Sequence, residues 1–215
     1  EKGLGVKKDI KEAARLITKA ADAGHFAAQH NLATMYIEGN GFEQNVDEAI
    51  RLFKLAAEQG YPNSQTSLAF YYFQGIFVPK DISEAIRLFT LASNSGHTEA
   101  QHNLATCYYY GNGVEKNVDE ALRLFTLAAE KGYMESQKAL GIMFVDGRGI
   151  KKDTEKGIHY LTLAANQGHP DALYLLGYRY AKGIDVKPDL QLSIQYMFEA
   201  QERGSCEAAE FIKNN

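Results

Sequence analysis

Three histidines, His25, His97 and His169, recur 72 residues apart and are the first groups in this 215-residue chain that could hold a metal or move a proton. Each follows a glycine, and the equivalent positions between them are Tyr61, Tyr133 and Ser205. Two stacked helical repeats would separate successive imidazoles by roughly 20 Å, because packed helices lie about 8–10 Å apart. His25 and His30 are five residues apart, as are His97 and His102. That spacing does not put both on one helical face as a spacing of four does. The histidines therefore predict no metal site. The pairs Gly39-x-Gly41 and Gly111-x-Gly113 suggest phosphate loops, but no strand precedes them and no Gly-Lys-Ser/Thr follows. They read as turns, and no cofactor is expected. Serine, histidine and aspartate all occur, yet no sequence context sets a nucleophile against its base. No carboxylate lies in an evident apolar pocket that would fit it for acid catalysis. The chain is expected not to be an enzyme, with no catalytic, cofactor-binding or metal residues.

Charge and cysteine usage narrow the remaining classes. Net charge is −4 and the isoelectric point is near 5.9, whereas nucleic-acid binders usually carry a basic excess or stripe. Arg15, Arg51, Arg87 and Arg123 do form a column, but each follows a glutamate by three residues: Glu12, Glu48, Glu84 and Glu120. Such pairs neutralise one another on a solvated helix face. No run of 18 apolar residues is present, so no membrane insertion is expected within this chain. Cys107 and Cys206 stand 99 residues apart in different repeats, too far to bridge in a linear stack, which fits a reducing compartment. The sequence opens partway through a repeat and is read as a piece of a longer protein. Any targeting signal would lie outside it, which leaves cytoplasmic and secreted or periplasmic locations both open.

The elements that position these groups come from a strict period. Gly24, Gly60, Gly96, Gly132, Gly168 and Gly204 are spaced by 36 residues. Alanine stands four residues before each (Ala20, Ala56, Ala92, Ala128, Ala164, Ala200), and an aliphatic residue stands eight after (Leu32, Leu68, Leu104, Leu140, Leu176, Ile212). A ring follows at twelve (Tyr36, Tyr72, Tyr108, Phe144, Tyr180) and a second glycine at fifteen (Gly39, Gly75, Gly111, Gly147, Gly183). Fifteen residues before each marker glycine stands Asp9, Asn45, Asp81, Asn117, Asp153 or Asp189, types that accept hydrogen bonds at a helix start. Glu12, Glu48, Glu84 and Glu120, three residues on, suggest the reciprocal half of a capping box. Apolar residues then recur at helical spacing, as in Ala49, Ile50, Leu52, Phe53, Ala56 and Ala57. The marker glycine ends this helix, and a second begins almost at once, with Pro62 and Pro170 at its first position. Neither helix can bury its stripe alone, so the pairs must stack into a continuous core. Residues 1–215 read as a single solenoid domain, with units near 1–24, 25–60, 61–96, 97–132, 133–168 and 169–204 and a partial unit at 205–215.

One copy of the unit reads Ala100, Leu104, Tyr108, Gly111, Gly113, Val114, Asn117, Ala121, Ala128, Ala129, Gly132. It resembles the Sel1-like repeat, a relative of the tetratricopeptide repeat, and the resemblance covers the whole chain. Phe77 and Asp185 replace the second loop glycine in two units, and those loops are expected to differ in shape from their neighbours. The last unit drifts, with Leu192, Gln201 and Lys213 off the pattern, as a polar C-terminal cap would. The resemblance implies an all-α, right-handed α/α superhelical solenoid of about six 36-residue helix-turn-helix repeats. It also implies a concave surface lined by the helix after each marker glycine, and a role as an adaptor for a protein or peptide partner. A cysteine-rich branch of the family is linked to penicillin binding and hydrolysis, but it carries a cysteine pair in each repeat that this chain lacks. A purely architectural spacer is the third reading.

On that surface the exposed offsets from the marker glycine are 3, 6, 10, 13 and 14. They carry the rings Phe70, Phe73, Tyr109, Tyr110, Tyr174 and Tyr178, with polar groups at His30, Gln74, His102, Lys138, Asp146 and Lys182. Rings on a helix face that should be polar suggest partner binding, since tyrosine and phenylalanine supply large contact area at small rotameric cost. Asn31 and Asn103 occupy equivalent places there and suit either a partner's backbone or a tie between turns.

Overall fold

The computed structural model describes residues 10–214. Those residues form twelve helices and no strand. The first helices of the repeats are α1 (Ile10–Asp22), α3 (Val46–Glu58), α5 (Ile82–Asn94), α7 (Val118–Glu130), α9 (Thr154–Asn166) and α11 (Leu190–Glu202). The second helices are α2 (Phe26–Glu38), α4 (Pro62–Gln74), α6 (Thr98–Tyr110), α8 (Met134–Asp146), α10 (Pro170–Lys182) and α12 (Cys206–Asn214).

Helix starts follow the predicted column. Asn45, Asp81, Asn117, Asp153 and Asp189 accept the amides of Glu48, Glu84, Glu120, Lys156 and Leu192 on their side chains at 2.9–3.1 Å. Asp9, the first of the column, lies outside the described residues. The reciprocal half of the capping box is put to another use. The amides of Asn45, Asp81 and Asn117 donate to the carbonyls of Tyr36, Tyr72 and Tyr108, across the loop, at 2.9–3.1 Å. The freed glutamates each take an arginine fork, as in Glu48 with Arg51 at 2.8 and 2.6 Å. These pairs are largely exposed, so each contributes only about 0.2–0.5 kcal/mol.

Helix ends follow the marker glycines, which have φ between +80° and +93°. In that conformation the amide beyond the glycine folds back on the helix: Tyr61 donates to Ala56 O at 3.0 Å and His97 to Ala92 O at 3.0 Å. Any side chain there would be strained, since the left-handed region crowds Cβ.

The loops at Phe77 and Asp185 do not differ in backbone shape from their sisters, contrary to the expectation from sequence. Phe77 has φ +65° and Asp185 φ +63°, close to Gly41, Gly113 and Gly149 at +78° to +83°. The reason is the loop-spanning bond at the next helix start, which every described loop keeps, these two included: Asp81 to Tyr72 at 3.0 Å and Asp189 to Tyr180 at 3.1 Å. Phe77 and Asp185 accept strain instead of changing the loop.

The described chain falls into two compact units. The first runs to Cys107 and includes Gly111–Glu115, and the second holds Tyr108–Tyr110 and everything from Lys116. Within the first, each helix from α1 to α4 packs on its successor; within the second, each from α7 to α11 does so. The first unit buries Leu32, Ala33, Phe53, Ala56, Leu68, Ala69, Phe89 and Ala92. The second buries Val145, Leu161, Ala164, Leu173, Leu176, Met197 and Ala200 in one cluster. The alanine columns are the contact surfaces between helices, and larger side chains fill between them. Burying the Leu and Phe side chains stabilises each unit by roughly 1.5–3 kcal/mol apiece before chain entropy is charged.

Candidate functional site

In the first unit the rings form a connected series. Phe26 meets Tyr61 at 5.0 Å, Tyr61 meets His30 at 5.4 Å, and His30 meets Phe53 at 5.2 Å. Phe53 continues to Tyr71 at 5.9 Å, and Tyr71 touches both Phe70 at 6.2 Å and Phe77 at 5.2 Å. Phe53 is the buried centre, while the two ends face solvent: Phe26 is 43% exposed, and Phe70 and Phe77 are 44%. Ile76 extends the second end. Burial, and then the Glu38 charge, push the Tyr71 hydroxyl above its usual range, so it stays protonated and able to donate. Phe73 lies half-buried one turn beyond Phe70, and Gln74 closes α4 in the open.

Two of the histidines, His30 and His97, have internal partners. His30 Nδ1 lies 3.0 Å from Ser64 Oγ, and His97 Nδ1 lies 3.0 Å from Thr66 Oγ1, so each ties one repeat to a neighbour. His97 Nδ1 also accepts the Ala100 amide at 3.4 Å, capping α6. His102 is half-buried in α6. No group of three metal-ligating side chains is found among the described residues.

In the second unit Tyr109 and Tyr110 meet edge-on at 4.9 Å, with Tyr110 66% exposed and the Lys116 ammonium 6.0 Å from the Tyr109 ring centre. Tyr174 and Tyr178 lie 6.1 Å apart, and Tyr178 meets Phe211 at 5.9 Å. Lys182 places its ammonium 5.6 Å over the Phe211 ring. These three rings are half-buried against the core cluster.

Lys138 and Asp146 have internal partners. Lys138 pairs with Glu135 at 3.0 Å and with Asp171 at 3.1 Å. Asp146 pairs with Arg148 at 2.8 Å and with buried Arg179 at 2.9 Å. Arg179 also holds Asp185 at 2.9 Å, and Asp185 takes Lys152 at 2.6 Å. Of the two thiols, Cys107 is buried, which pushes its pKa up to about 11, and Cys206 is exposed.

Sequence reasoning therefore brought together Tyr109 with Tyr110 and Tyr174 with Tyr178. It missed Phe26, Tyr61, Tyr71, Phe77, Phe211 and Arg179. The departure of Phe77 from a glycine column was the one signal that marked a missed ring in advance. Gln29, Gln65, Gln101 and Gln137, a column five residues after the marker glycine, were also legible but unread. Each is buried and donates Nε2 to the carbonyl of Ala21, Ala57, Ser93 or Ala129 at 3.1–3.4 Å, closing the end of the first helix.

No helix among the described residues is long and apolar enough to cross a membrane. The Sel1 repeat profile matches residues 1–25, 26–61, 62–97, 98–133, 135–169 and 170–205. No curated protein matches the chain. Among solved structures, a Sel1 repeat protein from Oxalobacter formigenes is 38% identical, with a TM-score of 0.89 over 93% of this chain and 82% of its own. A protective antigen present in uropathogenic Escherichia coli strains, displaying the same repeat fold, is 30% identical, with a TM-score of 0.83 over 91% of this chain. This chain spans 42% of that antigen's length. An immunity protein from Pseudomonas aeruginosa shares the fold at 22% identity, with a TM-score of 0.63, covering 88% of this chain and 72% of its own. With six repeats matched in register, the chain belongs to the Sel1 repeat family, whose members are in general protein-interaction scaffolds and typically not enzymes.

Proposed function

We propose that this protein is a non-enzymatic adaptor that holds a protein or peptide partner against the rings of its second helices. The observation that carries this reading is the ring series ending in Phe70 and Phe77. Two large rings, each 44% exposed, meet the Tyr71 ring, and one of them occupies a strained left-handed position. Folding gives no return for strain at an exposed ring, whereas a binding surface does, and strained residues gather at such sites. The Tyr109–Tyr110 pair offers the same chemistry in the second unit, with Tyr110 keeping a hydroxyl free for a polar contact. His30, Gln74, His102, Lys182, Lys138 and Asp146 supply polar groups around these rings, the last two already charge-balanced by internal pairs.

The test is affinity capture with the purified chain, followed by titration of the captured partner against variants. Phe70→Ala with Phe77→Ala, and Tyr110→Ala with Tyr109→Ala, should each weaken binding by about 2 kcal/mol or more, the scale of an aromatic anchor at an interface centre. Unchanged affinity in both variants removes the rings from the binding surface.

A further inference from the structure

On the second helices of the second compact unit, residues 33 apart in sequence face one another. Lys138 on α8 reaches Asp171 on α10 at 3.1 Å, Asp146 on α8 meets Arg179 on α10 at 2.9 Å, and Tyr178 on α10 meets Phe211 on α12 at 5.9 Å. The same register sets Tyr174 on α10 against Glu207 on α12. The two interfaces treat their carboxylates differently. Asp171 shares the Lys138 ammonium with Glu135. Glu207 meets a ring and accepts the Ser205 hydroxyl at 3.3 Å, and Glu210, one turn further along α12, is exposed. Among the described residues neither has a cation within ion-pair distance. The helix dipole accounts for an acid in the first turn of α12, as at Glu207, but not for Glu210. Burial, and then Tyr178, Glu207 and Glu210, push the Tyr174 hydroxyl above its usual range, so the phenol adds no charge of its own. The face around Tyr174 thus carries Glu135, Asp171, Glu207 and Glu210 against Lys138. A second ammonium, that of Lys182, lies two turns further on, over the Phe211 ring.

We infer that the Tyr174–Tyr178 face, with Glu207 and Glu210, is a docking site for a basic segment of a protein partner, whose arginine lies on the rings and brings these carboxylates the cation that Lys138 brings Asp171. The inference rests on the adaptor reading above and names the chemistry of the partner. Charge decides the occupant. An acidic segment is repelled by the four carboxylates, and a neutral one leaves Glu207 and Glu210 without a counter-charge. A guanidinium suits the site better than an ammonium, because it is flat, stacks on tyrosine and offers several donors to two carboxylates at once. Tyr174 and Tyr178 lie 6.1 Å apart and are half-buried against the core cluster, so the rings are in place before a partner arrives. The fold already seats one cation over a ring on this face, Lys182 at 5.6 Å from the centre of Phe211.

The experiment titrates the 15N-labelled chain with the capped peptide acetyl-Ala-Arg-Leu-Arg-Ala-amide, and in parallel with the same peptide carrying citrulline, the uncharged isostere, in place of both arginines. The backbone amides of Tyr174, Glu207 and Glu210 should shift and saturate with the arginine peptide. Affinity should fall by about fivefold or more with citrulline, and by as much in Glu207→Gln with Glu210→Gln. Tyr174→Leu keeps an apolar contact but removes the ring, and should weaken the arginine peptide by about threefold. Glu155→Gln with Glu202→Gln makes the same change of net charge on α9 and α11 and should leave the affinity as it was. All four glutamates are exposed, so these variants keep the fold. Absence of saturation overturns the inference, as does unchanged binding in Tyr174→Leu or in the Glu207 and Glu210 variant. An equal loss in the Glu155 and Glu202 variant also overturns it, since the attraction would then belong to the whole chain. Equal binding of the citrulline peptide removes the basic partner while leaving the adaptor reading intact, which the ring variants at Phe70, Phe77, Tyr109 and Tyr110 test separately.

Discussion

The Phe77 ring meets the Tyr71 ring edge-on at 5.2 Å, from a backbone position with φ +65°. Three of the five described loops hold glycine here, Gly41, Gly113 and Gly149, and a bulky residue in the left-handed region costs roughly 1–2 kcal/mol. Phe77→Ala and Phe77→Gly both delete the ring, but only glycine relieves the backbone. Phe77→Gly should therefore be the more stable of the two by about 1 kcal/mol, measured by urea unfolding. Alanine equalling glycine would mean the loop carries no strain.

Acid should loosen the first unit through two histidines. Burial holds His30 below the ordinary imidazole value of 6.5, with the His97 charge adding to the effect. Burial also lowers His97, opposed by Glu99. Native His30 lies between Phe53, Tyr61 and Ser64 and prefers its neutral ring. A depressed native pKa means the unfolded chain takes up protons first as pH falls. The stability from these rings is thus fully present above about pH 6.5 and is lost as pH falls from there through their native values. The urea midpoint should drop between about pH 7.5 and about pH 5.5, and the drop should shrink in His30→Gln with His97→Gln. An identical drop in that double variant would assign it to other groups.

Gly157 tests the alanine columns. Its counterparts are Ala49, Ala85 and Ala121, all fully buried, so alanine would seem the natural replacement. Yet a Cβ on Gly157 would stand 2.7 Å from Val145 N, a backbone atom that cannot turn aside. Gly141, opposite, would likewise place a Cβ 2.6 Å from Leu161 Cγ. At this point α8 and α9 approach too closely to admit a methyl group from either residue. Gly157→Ala should destabilise by roughly 1–3 kcal/mol, against the usual gain of a helical Gly→Ala change. A higher melting temperature in this variant would contradict the close approach.

The repeat period made the fold legible because it reports the same helix caps and buried stripes six times over. Asn45, Asp81 and Asn117 could be assigned from type and spacing alone, since a cap is a local event within four residues. Surface contacts are different. His30 reads as an exposed offset, but Ser64 sits one repeat away and claims it, and no local pattern reveals that. The capping-box glutamates misled for a related reason: Arg51 and its sisters compete for the same carboxylates, and Tyr36 and its sisters supply the amide's acceptor. Offsets identify which side of a helix a residue occupies. They do not identify its neighbours in the next helix, which is why Phe26, Tyr71 and Phe211 went unread.

Arg179 offers the sharpest test of why Asp185 replaces a glycine. Arg179 is only 9% exposed, and its guanidinium bridges Asp146 on α8 to Asp185 in the loop after α10, both at 2.9 Å. Asp185 sits at φ +63°, so the loop carries strain that glycine would avoid. If the ion pair is what offsets that strain, the two residues must be energetically coupled. Arg179→Met should cost about 2–3 kcal/mol, below the full loss for an isolated buried pair, because Lys152 and Arg148 still neutralise the two aspartates. Asp185→Gly alone should cost less, since it trades the lost pair against released strain. With arginine already gone, Asp185→Gly should turn stabilising, because only the strain remains to be removed. A double-mutant cycle by urea unfolding reads this directly, and purely additive energies would show that Asp185 holds its left-handed position for some reason other than Arg179.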